Sequence, residues 1–398
     1  MDLFAWISTG ILFFYSIICS AYNLLFAIAS LGFRRTKKSA EAKTSFILFV
    51  PAYKEDAVIL ESTKSNINAI NYPRDMFKLV VIADQLQDET IKGLAGMGEN
   101  VEVHPVSFEK STKVKSLNSA LNKYQQEGFE YLVVLDADNV VDKDFLWYLD
   151  ACVKKGYQAI QGKRTAKNKN NSLSILDGLS EEINNSIFRK GGNALGFSSP
   201  ISGSGMAYDY ALFSDILKNE SALGGFDKML QVRVLERRKK IKFCAEAIVF
   251  DEKTDDSAVF QNQRKRWLNS HFTYFAKFAG NGIKGLFTFN LDLFNLAIFI
   301  HGLLPRSFNA VIIGLMLGIA LVTPDAYFLN FNDWVVVCSA FVIANLLAIP
   351  KAYWNVDLLK AIGRLPATLL NMLLALFRIR ESKTSFIHTP HKNHNANE

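Results

Sequence analysis

Cysteine is scarce in this 398-residue chain, and the four present, Cys19, Cys152, Cys244 and Cys338, lie far apart. Such spacing offers neither a disulfide framework nor a zinc site. Charge is absent throughout residues 3–33. That run exceeds the ~20 residues a helix needs to cross a bilayer core, so a solvated helix is excluded there. No basic residue precedes it, because the chain opens with Met1 and Asp2, and Arg34, Arg35, Lys37 and Lys38 come after it. A cleavable signal peptide has the opposite order. We read an uncleaved anchor whose basic flank stays cytoplasmic. A large charge imbalance is missing as well: 45 Lys and Arg against 38 Asp and Glu give a formal charge of +7. Part of that excess sits beside apolar segments, where anionic headgroups are the simpler partner, so nucleic acid is not expected.

What the chain has in quantity is apolar residues, 49% of the total, unevenly placed. From residue 44, short apolar runs alternate with longer mixed segments, the pattern of a parallel βαβ sheet. Strands are expected at 45–50, 78–83, 101–106 and 131–135, and helices at 57–70 and 114–124. The fold class is therefore α/β. In an open sheet of this kind, ligands bind beyond the carboxyl ends of the strands. Those ends are polar here: Pro51-Ala52-Tyr53-Lys54-Glu55-Asp56 follows the first strand, Asp84 the second, and Asp136-Ala137-Asp138 the fourth.

After residue 268, aromatic residues mix with a few lysines, as in helices that lie in a membrane interface. Uncharged runs at 307–324 and 334–350 follow, and the loop between them holds Asp325 and Asp333 but no basic residue. Lys351, Lys360, Arg364, Arg378 and Arg380 come after the second run. This bias predicts a hairpin that leaves the cytosol and returns, three spans in the simplest count.

Two carboxylates one residue apart at a strand end suit a hard divalent cation shared with a nucleotide. The plainer reading of Asp136 and Asp138 is a helix cap or a solvated turn, with Asp142 and Asp144 nearby; their place after the most apolar strand favours the first. Gln263-Arg264-Lys265-Arg266-Trp267 offers two guanidinium groups that can fork onto phosphate oxygens and an indole face that suits a pyranose ring. Its alternative is a basic helix entering the membrane interface with Trp267 as anchor.

Over residues 44–270 these motifs resemble the family 2 glycosyltransferases, the group that includes the cellulose, chitin and hyaluronan synthases. Pro51, Tyr53 and Glu55 are similar to the family's opening P-x-Y-N-E turn, Asp84 to its uracil-contacting aspartate, and Lys113 with Leu117-Asn118 to its Gly-Lys-x-x-Ala-Leu-Asn segment. Gln161-Gly162 and Ser202-Gly203-Ser204-Gly205 stand where the family carries sugar-pocket and acceptor-side loops. Gln263, Arg264, Arg266 and Trp267 fit its Q-x-x-R-W, implicated in diphosphate binding and acceptor stacking. The chain departs from the family at the catalytic base, where Phe226 replaces an acidic residue. Asp227 then falls at the base position, a loop residue just before a helix, and its plainer role is to cap that helix. Asp251 and Glu252 rank behind it. Phe386 and Thr389, in a stretch that also contains His388 and His391, partly match a gating loop.

The resemblance implies a GT-A (Rossmann-like) nucleotide-sugar-binding domain at 44–267, set between a transmembrane helix at 1–33, interfacial helices at 268–306, a transmembrane hairpin at 307–350 and an interfacial segment with a cytosolic tail at 351–398. It implies an inverting transfer from a UDP-sugar to a lipid-linked or glycan acceptor. Asp227 would be the base, Asp138 would hold Mg²⁺ or Mn²⁺, and Asp84, Asp136 and Lys113 would position the nucleotide. The protein would sit in a bacterial-type inner membrane with its catalytic domain cytoplasmic, as an oligomer or beside an export partner. A small processive synthase and a non-catalytic nucleotide-binding subunit are the alternatives.

Overall fold

The computed structural model describes residues 2–218, 220, 225–323 and 330–364. The strands are β1 (Phe46–Tyr53), β2 (Phe77–Asp84), β3 (Val101–Val106), β4 (Tyr131–Val134), β5 (Val140–Val141), β6 (Ala159–Ala166), β7 (Met206–Asp209) and β8 (Ile241–Asp251). They form one sheet in the order β3-β2-β1-β4-β7-β6-β8-β5. The first four strands are parallel, as the apolar runs suggest. The rest corrects the expectation of a parallel sheet, since β7 is antiparallel to β4 and β6, and β5 is antiparallel to β8.

The helices are α1 (Asp2–Leu31), α2 (Asp56–Ala69), α3 (Asp88–Ala95), α4 (Lys113–Tyr124), α5 (Phe145–Val153), α6 (Ser172–Asn184), α7 (Gly192–Ala194), α8 (Tyr210–Leu217), α9 (Phe226–Glu236), α10 (Ser257–Phe287), α11 (Leu291–Phe294), α12 (Arg306–Val322), α13 (Phe331–Ala348) and α14 (Val356–Gly363). The central strands are apolar on both sides because helices cover both sides. Ile47 and Phe49 of β1 pack with Val80, Leu132 and the α4 and α9 residues Leu117 and Leu230. Phe46 and Leu48 point the other way, to Val81, Val133 and the α2 and α5 residues Ile59 and Leu149. This sandwich fixes the strand ends, and with them the loops that carry the polar residues.

Among the described residues, α1 and α13 are long and apolar enough to cross a membrane, and α12 is shorter. They pack together through Phe13, whose ring lies 5.4 Å from that of Trp334, with Ile17, Ile313 and Val337 around it. The first half of α1 leaves Leu3, Phe4 and Ile11 exposed. The second half buries one face in the protein: Tyr22, Phe26 and Ala27 pack on Leu179, Ile183 and Ile187, while Leu25 and Ile28 stay exposed. Gly191 closes this contact, since a Cβ there would overlap the Phe26 backbone. Downstream, α10 runs from Ser257 to Phe287 in one piece. The composition change at residue 268 therefore falls inside a helix and marks no boundary between elements.

Candidate active site

The loops after β1 and β2 meet first. Tyr53 pairs with Asp84 in register, and Lys54 N donates to Asp84 O at 3.2 Å. Just past the two strands, Lys54 and Gln85 both take a left-handed backbone, at φ 56°. Residues other than glycine hold that conformation at a cost of order 1–3 kcal/mol, which clusters at functional sites. Asp84 is 1% exposed, and neither of its oxygens makes a hydrogen bond among the described residues. Burial raises its proton affinity above the ordinary carboxylate range, with Ser111 and Lys54 opposing in part. A buried acceptor pair without a donor is what the N–H edge of a bound base would satisfy.

The loop after β4 is more tightly built. Asp136 N donates to Ser204 Oγ at 3.0 Å and to Asn139 Oδ1 at 3.1 Å. Asn139 Nδ2 donates to Asp138 Oδ1 at 3.0 Å, and Glu252 N to Asp138 Oδ2 at 3.2 Å. Asn139 thus ties the Asp136 backbone to the Asp138 carboxylate, a role its sequence position did not disclose. Gln161 explains the far side of the loop: fully buried, it accepts from Ser202 N at 2.9 Å and donates to Ser204 O at 2.9 Å. It braces the 202–205 loop, which the resemblance places at the sugar pocket. Gly203 and Gly205 in that loop take φ 80° and 62°.

Positive charge converges on Asp136 from three distant segments. Lys113 Nζ donates to its Oδ1 and also to Gly203 O at 2.9 Å. Arg164 and Arg266 each feel its charge: for Arg164 burial is outweighed by Asp251, Glu181 and Asp136 and its proton affinity rises, whereas for Arg266 burial outweighs Asp136 and its proton affinity falls. Arg164 was missed by the sequence reading; it stands two residues after Gly162 in β6, donates to Ser202 O at 2.9 Å and pairs with Asp251. Asp251 also lies 3.0 Å from Lys253, so it faces two cations inside the protein. Arg264 is engaged elsewhere: it pairs with Asp177 of α6 and lies against the Phe260 and Trp267 rings. Of the two arginines in the Q-x-x-R-W segment, Arg266 is the one that feels the charge of Asp136. Trp267 is 40% exposed, and Gln263 Oε1 is buried without a hydrogen bond among the described residues.

Asp227 lies in the first turn of α9, after Gly225 at φ 62°, which corrects its expected place in a loop. A Cβ on Gly203 would lie 3.6 Å from that of Asp227. Asp227 and Asp136 therefore flank the Lys113–Gly203 pair. Phe226, the departure from the family pattern, sets its ring 5.2 Å from Lys113 Nζ. A cation–π contact there replaces the ion pair an acidic residue would make. On its other side, α9 meets α10: a Cβ on Gly225 would overlap Ser270 and Tyr274. Glu236 pairs with Arg233 at 2.9 Å and accepts from Asn281 at 2.6 Å. Phe386 and Thr389 lie outside the described residues.

Among the described residues, no three metal-ligating side chains converge. Two carboxylates with hard oxygens beside a cationic cradle suit a divalent ion that takes its other ligands from substrate phosphates.

A family model described as glycosyltransferase like family 2 matches residues 43–270. That is more than half of the chain, and the chain belongs to this family. A probable glycosyltransferase, YdaM of Bacillus subtilis, is 24% identical over 242 residues, 60% of this chain and 57% of its own length. A poly-beta-1,6-N-acetyl-D-glucosamine synthase of Staphylococcus epidermidis is 27% identical over 175 residues, 42% of this chain and 41% of its own length. The chain thus spans about half the length of the curated relatives it matches. The mannosyltransferase PcManGT of Pyrobaculum calidifontis, solved with GDP-Man and Mn²⁺, superposes with a TM-score of 0.56 at 15% identity, over 94% of this chain and 99% of that one. The shared fold is GT-A, as the resemblance implied.

Proposed function

We propose that this chain is an inverting, membrane-bound hexosyltransferase that moves a sugar from a UDP-sugar to a lipid-linked or glycan acceptor. The observation that carries the reading is the Lys113 contact to both Asp136 and Gly203, with Arg164 on Ser202 of the same loop and Asp227 on the other side of Gly203. Asp84 receives the base through its unpartnered oxygens. The cations offset the charge that builds on the diphosphate as the anomeric C–O bond breaks. Asp227 takes the proton from the acceptor hydroxyl, whose oxygen then bonds the anomeric carbon from the opposite side. Mg²⁺ or Mn²⁺, held by Asp138 with Asp136, supplies Lewis-acid stabilisation of the leaving diphosphate when bound. Trp267 offers its exposed face to the acceptor. The apolar helices α1 and α13 keep the domain on the cytoplasmic face of the inner membrane, where an oligomer or export partner would pass on the product.

A test is UDP release in detergent from a panel of UDP- and GDP-sugars, with and without Mn²⁺, for the intact protein and Asp138→Asn. Metal-dependent release with one sugar, lost in the variant, is the expected result. Tight nucleotide binding with no release from any sugar, acceptor extracts included, would overturn it in favour of a non-catalytic subunit. The staphylococcal relatives favour a second reading, a small processive synthase; products longer than one added sugar would distinguish it.

A further inference from the structure

One buried polar contact joins the catalytic helix to the membrane side of the molecule. Gln231 lies one turn beyond Asp227 on α9 and is 2% exposed, as is His301. Its Oε1 accepts from Ile201 N at 3.0 Å, and its Nε2 lies 2.5 Å from His301 Nε2. The first bond sets the amide's orientation, so Nε2 is the donor and His301 Nε2 must be bare, with the ring proton on Nδ1. A doubly protonated ring would set N–H against N–H. Burial, with Lys228 and His271 nearby, keeps the imidazole neutral.

His301 is itself anchored. It follows the π-helical turn Asn295–Ile300 and donates its N–H to Leu296 O at 2.9 Å. Tyr22 of α1 donates to Asn295 Oδ1 at 2.9 Å, and Tyr15 of α1 accepts from Leu304 N at 2.8 Å. His271 of α10 meets Leu303 O at 3.1 Å. The turn is fastened to α1 at both ends, to α10 in between, and to α9 through His301. On the other side of Gln231, Ile201 opens the loop in which Gly203 touches Lys113 and Asp227.

We infer that the Gln231–His301 pair is a positioning element, setting the spacing of Asp227 from the 201–205 loop according to how the 295–304 turn seats against the membrane helix. This rests on the proposed role of Asp227 as base. The pair touches no substrate; it acts through the backbone of Ile201.

The test uses full-length protein in lipid nanodiscs: wild type, His301→Leu, His301→Gln, Gln231→Leu and the double Leu variant. His301→Leu removes the acceptor, and His301→Gln restores one at similar reach. Displacing catalytic groups by about 1 Å costs on the order of 100-fold. We expect kcat to fall about 10- to 100-fold in His301→Leu, with the donor KM and nucleotide affinity little changed. His301→Gln recovers most of the rate, and the double variant is no worse than Gln231→Leu. Hydrogen exchange of the peptide spanning residues 199–206 rises in His301→Leu, a readout that needs no turnover. Unchanged exchange overturns the inference, as does an unchanged kcat in a variant whose wild type transfers sugar. So does a loss of rate matched by a loss of nucleotide binding. A wild type that transfers nothing while the exchange still rises refutes the activity and leaves the coupling standing.

Discussion

Asp84→Asn should make the free protein more stable and the enzyme worse. The carboxylate is 1% exposed, neither oxygen has a hydrogen bond among the described residues, and burial raises its proton affinity. An unsatisfied buried polar group costs about 1–3 kcal/mol, more when charged. Asparagine keeps the shape and removes the charge, so a gain of about 1 kcal/mol is expected. For a domain of this size that corresponds to a rise of roughly 2–4 °C in Tm. The nucleotide loses a charge-assisted bond worth about 1.5–3 kcal/mol, or roughly 10- to 150-fold in affinity. Thermal unfolding in detergent, with and without UDP, reads both effects: the apo curve moves up and the UDP-induced shift shrinks. An apo Tm that falls, together with an unchanged UDP shift, would refute the reasoning, because it would make Asp84 a structural residue whose partners the geometry had hidden.

Asp227→Asn should keep nucleotide binding and lose transfer by about 100-fold or more, the usual range for a general base, as measured by product formation beside UDP affinity. Lys113→Met removes a charged donor from Asp136 and Gly203, so UDP affinity should fall about 10-fold or more, read by calorimetry. Gly205→Ala forces a Cβ to 2.8 Å from Val249 Cγ2 at φ 62°. It should cost at least about 1–2 kcal/mol, the left-handed penalty alone, and lower turnover, while the same change at solvent-facing Gly280 does neither. Stability should also fall in mild acid. His271 is pushed from 6.5 to about 4 by burial, then by Lys228. Its contribution is complete above the unfolded value and is lost as pH drops from 6.5 towards 4, by up to about 3 kcal/mol. His271→Phe should flatten that slope in a pH series of melts.

Much of the fold was legible because the first strands are buried on two sides. Their apolar runs located β1 to β4 within a few residues, and α2 and α4 with them. β6 was not legible, because Gln161, Lys163 and Arg164 break its hydrophobic run. β7 has only four residues and reverses direction, and neither fact leaves a periodic trace. At the site, the strand-end acids could be found because strand ends are where such sheets bind ligands. Asn139, Arg164 and Gln231 could not: Arg164 and Gln231 matter through partners more than 20 residues away, and the bonds of Asn139 to its neighbours depend on how the loop turns, which residue order does not carry. For the same reason the pairing of Arg264 with Asp177 left no trace in the sequence.

The packing of Gly191 against the Phe26 backbone has a practical side. Cutting the chain at residue 33 to obtain a soluble enzyme would remove the partner of Leu179, Ile183 and Ile187. It would also take away the tyrosines that fasten the 295–304 turn. The trimmed protein would carry a bare oily face beside its catalytic loops and would aggregate or lose turnover. A cut nearer residue 12, which discards only the outward-facing first turns, retains that seal and is the better starting point for purification.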